Sequence, residues 1–212
     1  MRASDPQRVG TRGVEVTRLG LGGTAFGNMY ARLDETAAEA IVQAAYAEGI
    51  RYCDTAPLYG YGLSETRLGQ GLLSVPRDDI VLSSKVGYML VPRPEGEEDH
   101  TPFVDIPPLT SIFDYSREAT LRSIEGSLER LQTNRLDIVL IHDPDESRSN
   151  DPDWQPGDRG HFDEVMKGAY PALCKLREEG VIGAIGLGMN QWQMLADFAR
   201  AGDFDCFLLE FH

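Results

Sequence analysis

The chain alternates short apolar runs with longer amphipathic segments. Apolar runs of strand length occur at 14–22, 50–55, 80–86, 136–143, 181–188 and 204–211. The runs that begin at 80, 136 and 181 are continuously apolar, which is typical of strands covered by helices on both faces. The pattern predicts repeated strand–helix units around a parallel sheet, and therefore an α/β fold.

The segments between these runs have the spacing of helices. They cover 34–49, 64–73, 116–132, 163–180 and 190–202. Ser64 and Ser116 are predicted N-caps, and helix ends are predicted at Gly49, Gly180 and Gly202. The glycine-rich turn after the first strand lacks the spacing of a dinucleotide-binding turn, which favours a barrel over a doubly wound sheet. Six strands can be counted, whereas the (β/α)8 TIM barrel has eight.

Two long connections follow strands in this scheme, at roughly 86–115 and roughly 143–162, and both are rich in Pro, Asp and Glu. Both leave the carboxyl ends of strands, where barrel active sites are built. Structureless connections of this length are usually functional. A disordered acidic insertion is the alternative for the middle of each.

Composition and charge narrow the classes of partner. With 42% hydrophobic and 25% charged residues, the 212-residue chain has enough apolar material for one globular domain over 1–212. The formal net charge of −14 argues against nucleic acid or an anionic membrane as a partner. No stretch approaches the roughly 20 apolar residues of a membrane span, and the amino terminus lacks the apolar core of a signal peptide. We therefore expect a cytoplasmic protein.

The cysteines indicate a reducing compartment. Cys53, Cys174 and Cys206 are widely separated, odd in number and set in apolar runs. Their spacing matches no metal site. Buried free thiols and the absence of a bound metal are the expectation.

Polar side chains end or follow the otherwise apolar strands, and they are Asp54, Tyr59, Lys85 and His142. Because strand ends of a parallel barrel converge on one rim, these side chains can meet. A lysine at the barrel mouth loses hydration and needs an anionic partner, which Asp54 could supply. A cation beside Tyr59 favours the phenolate, and His142 could hold a substrate oxygen. Such a group suits proton delivery to a carbonyl while a cofactor delivers hydride.

Each of these residues also has a structural interpretation. Asp54 could cap the following turn, and Tyr59 could be a rim aromatic no different from Tyr61. Lys85 could extend to the surface, and a single His142 is more often structural than catalytic. Their joint occurrence on three successive strand ends favours the catalytic interpretation.

The stretch YCDTAPLYGYGLSETRLGQGL at 52–72 resembles the aldo-keto reductase signature. The resemblance continues in VLSSKVG, RLDIVLIHDPD and VIGAIGLGMN, and the opening GVEVTRLGLGGTAFGN is similar to the family's N-terminal hairpin and first barrel strand. It implies a (β/α)8 oxidoreductase that uses NAD or NADP on carbonyls or alcohols. The family's catalytic tetrad then corresponds to Asp54, Tyr59, Lys85 and His142, with Tyr59 as general acid in reduction and general base in oxidation.

Within the family, GLGMN and the long third loop resemble the branch of aldose, L-fucose and pyridoxal dehydrogenases. That branch oxidises a sugar hemiacetal or a related alcohol. The resemblance also implies that Gly23, Thr24 and Asp54 lie near the nicotinamide and that Asn190 binds its carboxamide. The alternatives are a tight turn at Gly22 and Gly23 and a plain helix N-cap at Asn190.

The chain ends at FLLEFH after the sixth predicted strand. Family members continue through two further strands, whose loops hold the cofactor phosphates. The aromatic that stacks on the nicotinamide normally follows strand six, where Phe211 or His212 is the candidate. We expect a single reductase domain that is incomplete at its C-terminus, with open strand edges that favour association or instability. The alternatives to an active enzyme are an inactive reductase-fold interaction module and a defective truncated product.

Overall fold

The structure, a computed structural model, describes residues 2–145 and 160–209. Its strands are β1 (Pro6–Val9), β2 (Val14–Thr17), β3 (Gly20–Gly22), β4 (Tyr52–Asp54), β5 (Val81–Val86), β6 (Tyr88–Pro92), β7 (Leu109–Phe113), β8 (Ile138–His142), β9 (Ala184–Met189) and β10 (Cys206–Leu209). Its helices are α1 (Glu35–Ala47), α2 (Leu63–Leu72), α3 (Arg117–Arg130), α4 (Phe162–Lys167), α5 (Ala169–Glu178) and α6 (Trp192–Ala201). The predictions for Phe211, for His212 and for most of the 143–162 connection lie outside the described residues.

The centre of the fold is a six-stranded parallel sheet in the order β3-β4-β5-β8-β9-β10. Helices connect most of its successive strands, so the carboxyl ends of the strands lie along one rim. Within the described ranges the sheet is an open part of a barrel, with β3 and β10 at its edges. The predicted α/β barrel class is confirmed, with six strands in place.

Burial on both faces explains the continuously apolar strands. Every residue of β8 and β9 is buried. One face contributes Ile141 and Leu187 to the large cluster shared with the helices. The other contributes Ile138 and Leu140 to a smaller cluster, against which valines of β1 and β2 pack. Each fully buried Leu or Ile stabilises the fold by about 1.5–3 kcal/mol.

The first predicted strand, 14–22, is two strands in the structure. β2 pairs with β1 in an antiparallel hairpin, whereas β3 joins the central sheet. Thr17 accounts for the break between them, because its hydroxyl donates to the Leu19 carbonyl at 2.8 Å. The same hydroxyl accepts the amides of Arg51 and Tyr52 at 3.0 and 3.2 Å. This turn places the hairpin across the amino-terminal end of the sheet.

The predicted helix starts are partly right. Ser116 is an N-cap, since its Oγ accepts the Ala119 amide at 3.2 Å. The predicted cap at Ser64 is wrong, because α2 begins one residue earlier and the Ser64 hydroxyl donates to the Gly23 carbonyl at 2.6 Å. In the described part of the chain no helix is long and apolar enough to cross a membrane.

The helix ends also differ in detail. Gly49 and Gly180 follow α1 and α5 with left-handed φ of 85° and 72°, as predicted, while Gly202 ends α6 in an extended conformation. The single helix predicted over 163–180 is wrong, since α4 and α5 are separated at Gly168. Gly168 lies against the Tyr115 carbonyl, where a side chain would not fit. That close approach interrupts the helix.

The connection over 86–115 is not structureless, contrary to the expectation. β6 and β7 form an antiparallel pair within it, from Tyr88 opposite Phe113 to Pro92 opposite Leu109. Further along, Phe103 forms an antiparallel bridge with Met29 in the loop after β3. The acidic connection is therefore a folded part of the rim. The three cysteines are free thiols, as expected. Cys53 is buried, but Cys174 and Cys206 are only partly buried, contrary to the expectation.

Candidate active site

A cavity of about 560 Å³ lies at the carboxyl ends of the central strands. Side chains that the sequence singled out line it, and they are Thr24, Asp54, Tyr59, Lys85, His142 and Asn190. The structure therefore brings the predicted tetrad to one place. Tyr61, the alternative aromatic, is buried and does not line the cavity.

Lys85 and Asp54 form a buried ion pair at the floor of the cavity. The lysine side chain is only 1% exposed, and its Nζ donates to Asp54 Oδ2 at 2.6 Å and to the Thr55 carbonyl at 2.9 Å. Burial is the largest single influence and lowers the pKa of Lys85, but Asp54 and Tyr59 together outweigh it and raise that pKa above its ordinary value. Lys85 is therefore a fixed cation and does not extend to the surface.

Ser83 supports this pair, and the sequence analysis missed it. Its hydroxyl donates to Asp54 Oδ1 at 2.6 Å and is 3.1 Å from the Tyr52 hydroxyl. The two carboxylate oxygens of Asp54 thus accept hydrogen bonds from Ser83 and Lys85, and they do not cap the following turn. The signal was available, because residues two apart on a strand face the same side and Ser83 precedes Lys85 by two.

Tyr59 lies beside the ion pair. The Lys85 Nζ is 4.6 Å from the centroid of the phenol ring, and the His142 ring meets it edge to face with centroids 5.7 Å apart. A Cβ added to Gly27 would come within 2.6 Å of the Tyr59 backbone. Close backbone packing between the two turns therefore fixes where Tyr59 enters the cavity.

His142, the last residue of β8, is 5% exposed. Burial lowers its pKa well below the ordinary value of 6.5, and the charge of Lys85 lowers it further. The imidazole is therefore neutral at physiological pH. Its Nδ1 is buried with no hydrogen-bond partner among residues 2–145 and 160–209. A structural histidine would normally be satisfied by such a partner.

Asp143 is a second residue that the sequence analysis missed. Its carboxylate lines the cavity, accepts from Asn190 Nδ2 at 3.3 Å and from the Tyr88 hydroxyl at 3.3 Å, and lies 3.5 Å from His142 Nε2. Its backbone is left-handed, with φ of 42°. Asp and Asn adopt that conformation more readily than most residues. The cap interpretation of Asn190 is wrong, because Gln191 occupies the N-cap position of α6.

Thr24 and Gly23 differ in their relation to the cavity. Thr24 lines it, whereas Gly23 does not. Gly23 has an ordinary φ of −88°, so no left-handed turn requires it. A Cβ at Gly23 would come within 2.7 Å of the Asp54 carbonyl. The glycine is needed for close packing against β4.

The described residues fit the nicotinamide end of a dinucleotide. Thr24, which has a hydroxyl, and Asn190, which has an amide, both line the cavity. At Gly188 an added Cβ would come within 3.4 Å of the Lys85 Cε, so the absence of a side chain there keeps space above the ion pair. Among the described lining residues Lys85 is the only cation, and Asp54 already pairs it. The lining therefore suits the ring and carboxamide but offers no cation for the phosphates.

The model of the aldo/keto reductase family matches residues 18–210 of the chain. The chain belongs to the aldo/keto reductase family. Over 201 residues this chain is 37% identical to D-threo-aldose 1-dehydrogenase of a Pseudomonas species, and the match covers 93% of this chain and 57% of that protein. It is 35% identical to pyridoxal 4-dehydrogenase of Microbacterium luteolum, and that match covers 99% of this chain and 62% of the relative. It is 32% identical to L-galactose dehydrogenase of Arabidopsis thaliana, and that match covers 96% of this chain and 55% of the relative.

Solved structures agree with this assignment. A putative aldo-keto reductase from Pseudomonas aeruginosa is 33% identical with a TM-score of 0.70, covering 99% of this chain and 69% of that chain. The holo form of an aldo-keto reductase from Bacillus halodurans is 26% identical with a TM-score of 0.71, covering 98% and 58%. The chain spans 55–62% of the lengths of the three curated relatives above. The resemblance to aldose and pyridoxal dehydrogenases is confirmed.

Proposed function

We propose that this chain carries the catalytic tetrad of an NAD(P)-dependent oxidoreductase that interconverts an alcohol or sugar hemiacetal and a carbonyl or lactone. The observation that carries the proposal is the buried Lys85–Asp54 pair, with Nζ 4.6 Å from the centroid of the Tyr59 ring in a cavity that His142 also lines. The names of the similar aldose, pyridoxal and L-galactose dehydrogenases support the substrate class.

Tyr59 is the proton-transfer residue in this proposal. In oxidation its oxygen takes the proton of the substrate hydroxyl, and in reduction its hydroxyl donates a proton to the carbonyl oxygen. The neighbouring Lys85 cation stabilises the negative charge on the phenol oxygen during either transfer. Asp54 and Ser83 keep Lys85 in place, so that little reorganisation is needed when the proton moves.

His142 orients the substrate oxygen. A neutral imidazole has one N–H donor, and the lowered pKa of His142 keeps it in that state at physiological pH. Donation to the oxygen that reacts with Tyr59 would direct the substrate carbon toward the cofactor side of the cavity. His142 does not compete with Tyr59 as the acid, because the neutral imidazole lacks the second proton that an imidazolium would give up.

Thr24, Gly188 and Asn190 are the residues that would hold a nicotinamide beside the tetrad. The chemistry that a bound nicotinamide supplies is hydride transfer, in which two electrons and one hydrogen nucleus leave the substrate carbon in oxidation and return in reduction. Both NAD and NADP are compatible with this end of the site, because the two differ only at the distant ribose.

Replacing Tyr59 with Phe tests the proposal. Turnover of an aldose, followed by the formation of reduced nicotinamide, should fall at least about a hundredfold because the proton-transfer group is lost. Cofactor binding should change less than about twofold, since the ring remains. Quenching of tryptophan fluorescence measures that binding, and Trp192, directly after Gln191 at the start of α6, is the reporter within the described residues.

Tyr46→Phe is the matched control, because it removes a phenol hydroxyl that contacts Asp79 far from the cavity. Its turnover should equal that of the unmodified chain. Undiminished kcat in Tyr59→Phe would refute the assignment of Tyr59. Cofactor binding by the unmodified chain without any turnover would instead favour an inactive reductase-fold interaction module. Trp154, the other tryptophan, lies outside the described residues.

A further inference from the structure

Residues 101–104, here called the strap, belong to the connection over 86–115 and contact the loop after β3. The Tyr30 amide donates to the Pro102 carbonyl at 2.7 Å, and the Val104 amide donates to the Asn28 carbonyl at 3.1 Å. Pro102, Phe103 and Met29 then line the cavity together. The strap therefore forms one wall of the space in which the tetrad lies.

Asn28 holds this wall from outside the cavity. It is 1% exposed and does not line the cavity. Its Nδ2 donates to the Val104 carbonyl at 2.9 Å, and its Oδ1 accepts the Leu33 amide at 2.9 Å. Its backbone is left-handed, with φ of 65°. The side chain of Asn28 thus joins the strap, at Val104, to the backbone of Leu33 in the loop between β3 and α1.

Arg67 of α2 sets the orientation of that amide. Its Nη1 donates to Asn28 Oδ1 at 2.6 Å and to the Phe26 carbonyl at 2.8 Å, while its Nε and Nη2 both reach Glu35 Oε1 at 2.9 Å. Because an arginine only donates, it must face the oxygen of Asn28. The nitrogen of the amide is consequently directed at the strap.

The same loop also contacts the backbone of the catalytic tyrosine. Gly27 packs directly against Tyr59 and Gly60, with no room for a side chain at Gly27. The turn at 24–28 therefore contacts both the strap and the backbone of Tyr59. Asn28 is the last residue of that turn.

We propose that Asn28 is a positioning residue that fixes the strap as the substrate-side wall of the cavity and so determines which substrates fit against Tyr59. The inference rests on the proposed function for the identity of the substrate, but the clamp itself does not. The wall that it fixes is largely apolar, since Pro102, Phe103 and Met29 form it together with Thr101. It would contact the carbon skeleton of the substrate opposite the polar tetrad.

The variant Asn28→Asp isolates the clamp. An aspartate tolerates the left-handed backbone and keeps an acceptor for Arg67 and Leu33, but it places an oxygen against the Val104 carbonyl. Hydrogen exchange of the Val104 and Tyr30 amides should accelerate at least about tenfold, while amides of β8 and β9 stay within about twofold. The methyl NMR signal of Met29 should shift. The KM for an aldose should rise about tenfold with kcat within about twofold.

Asn134→Asp, at an exposed position near the opposite end of the sheet, is the control for the added charge. Asn28→Gly is the second variant, because it keeps the left-handed backbone and should reproduce the local exchange pattern. Unchanged exchange at Val104, or a uniform rise that includes β8 and β9, would overturn the proposal, and so would a loss confined to kcat. Failure of the proposed function is seen separately, as turnover that survives Tyr59→Phe, and it leaves the exchange result intact.

Discussion

Lys85 carries a charge into a position where 1% of its side chain is exposed. Removing an ion from water costs several kcal/mol, and good geometry with an opposite charge is needed to offset that cost. Loss of one partner of this pair should therefore lower the free energy of unfolding more than loss of both partners. A surface pair such as Arg8–Glu15, with side chains 81% and 53% exposed, has no such asymmetry.

Asp54→Asn should lower the free energy of unfolding by about 3–5 kcal/mol, because it leaves the Lys85 cation buried without a counter-ion. The double variant Asp54→Asn with Lys85→Met should recover at least about half of that loss. Urea unfolding measures both values. Glu15→Gln at the surface pair should cost less than about 1 kcal/mol. A double variant no more stable than Asp54→Asn alone would contradict the argument.

The lowered pKa of His142 predicts a pH dependence. In the unfolded chain a histidine titrates near the ordinary value of about 6.5, while His142 in the folded chain stays neutral to much lower pH. The unfolded state therefore binds the extra proton first, and stability falls as pH drops below about 6.5. Above that pH the contribution is complete.

His142→Gln should flatten this dependence. Below about pH 6.5 the free energy of unfolding of the unmodified chain should fall more steeply than that of the variant, by up to about 1.4 kcal/mol per pH unit. Chemical unfolding at several pH values gives the two slopes. His100→Gln, at an exposed loop position, is the control and should keep the original slope. Parallel curves for His142→Gln and the unmodified chain would show that folding does not lower the pKa of His142.

Among the elements, α2 is tied to its neighbours by one buried carboxylate. Glu65 is 0% exposed and accepts from the Ser84 hydroxyl of β5 at 2.7 Å and from Arg130 Nε at the end of α3 at 2.6 Å. Both contacts are hydrogen bonds to an ionised acceptor, which are stronger than neutral ones. They fix the helix that follows the turn containing Tyr59.

Glu65→Gln should therefore lower the free energy of unfolding by about 1.5–3 kcal/mol, because the amide keeps the volume but not the charge. Thermal or urea unfolding provides the measurement. The comparison is Glu118→Gln on the exposed face of α3, which should change the same quantity by less than about 0.5 kcal/mol. Equal effects at the two positions would mean that the buried contacts contribute nothing beyond a surface charge.

Element prediction was reliable wherever local periodicity is strong. The buried strands β5, β8 and β9 and the helices α1 and α3 all occur where their patterns predicted them. The pairing of β6 with β7 was missed because it joins residues up to 25 positions apart across an acidic connection, from Tyr88 to Phe113. The interruption at Gly168 was missed because its cause is a contact with the distant Tyr115.

For the whole molecule, the open sheet and the hairpin belong together. The valines of β1 and β2 pack on the smaller cluster around Ile138, Leu140 and Ala184, and so cover the amino-terminal end of the central strands. The opposite end is left for the cavity and the strap. The stabilising hairpin and the proposed active site thus lie at opposite ends of the same strands, an arrangement typical of barrel enzymes.

What the sequence determined by itself was the fold class, the positions of the buried strands β5, β8 and β9, and the identities of Asp54, Tyr59, Lys85 and His142 as the residues to examine. These follow from the periodicity of apolar residues and from sequence motifs, which are local properties. Only the tertiary structure decided the contact of Ser83 with Asp54, the contact of Asp143 with Asn190 and the clamp at Asn28, although strand alternation already placed Ser83 on the same face as Lys85. The partners in these contacts lie 29, 47 and 76 residues apart along the chain, and a hydrogen bond across such a separation exists only once the strands and loops have packed.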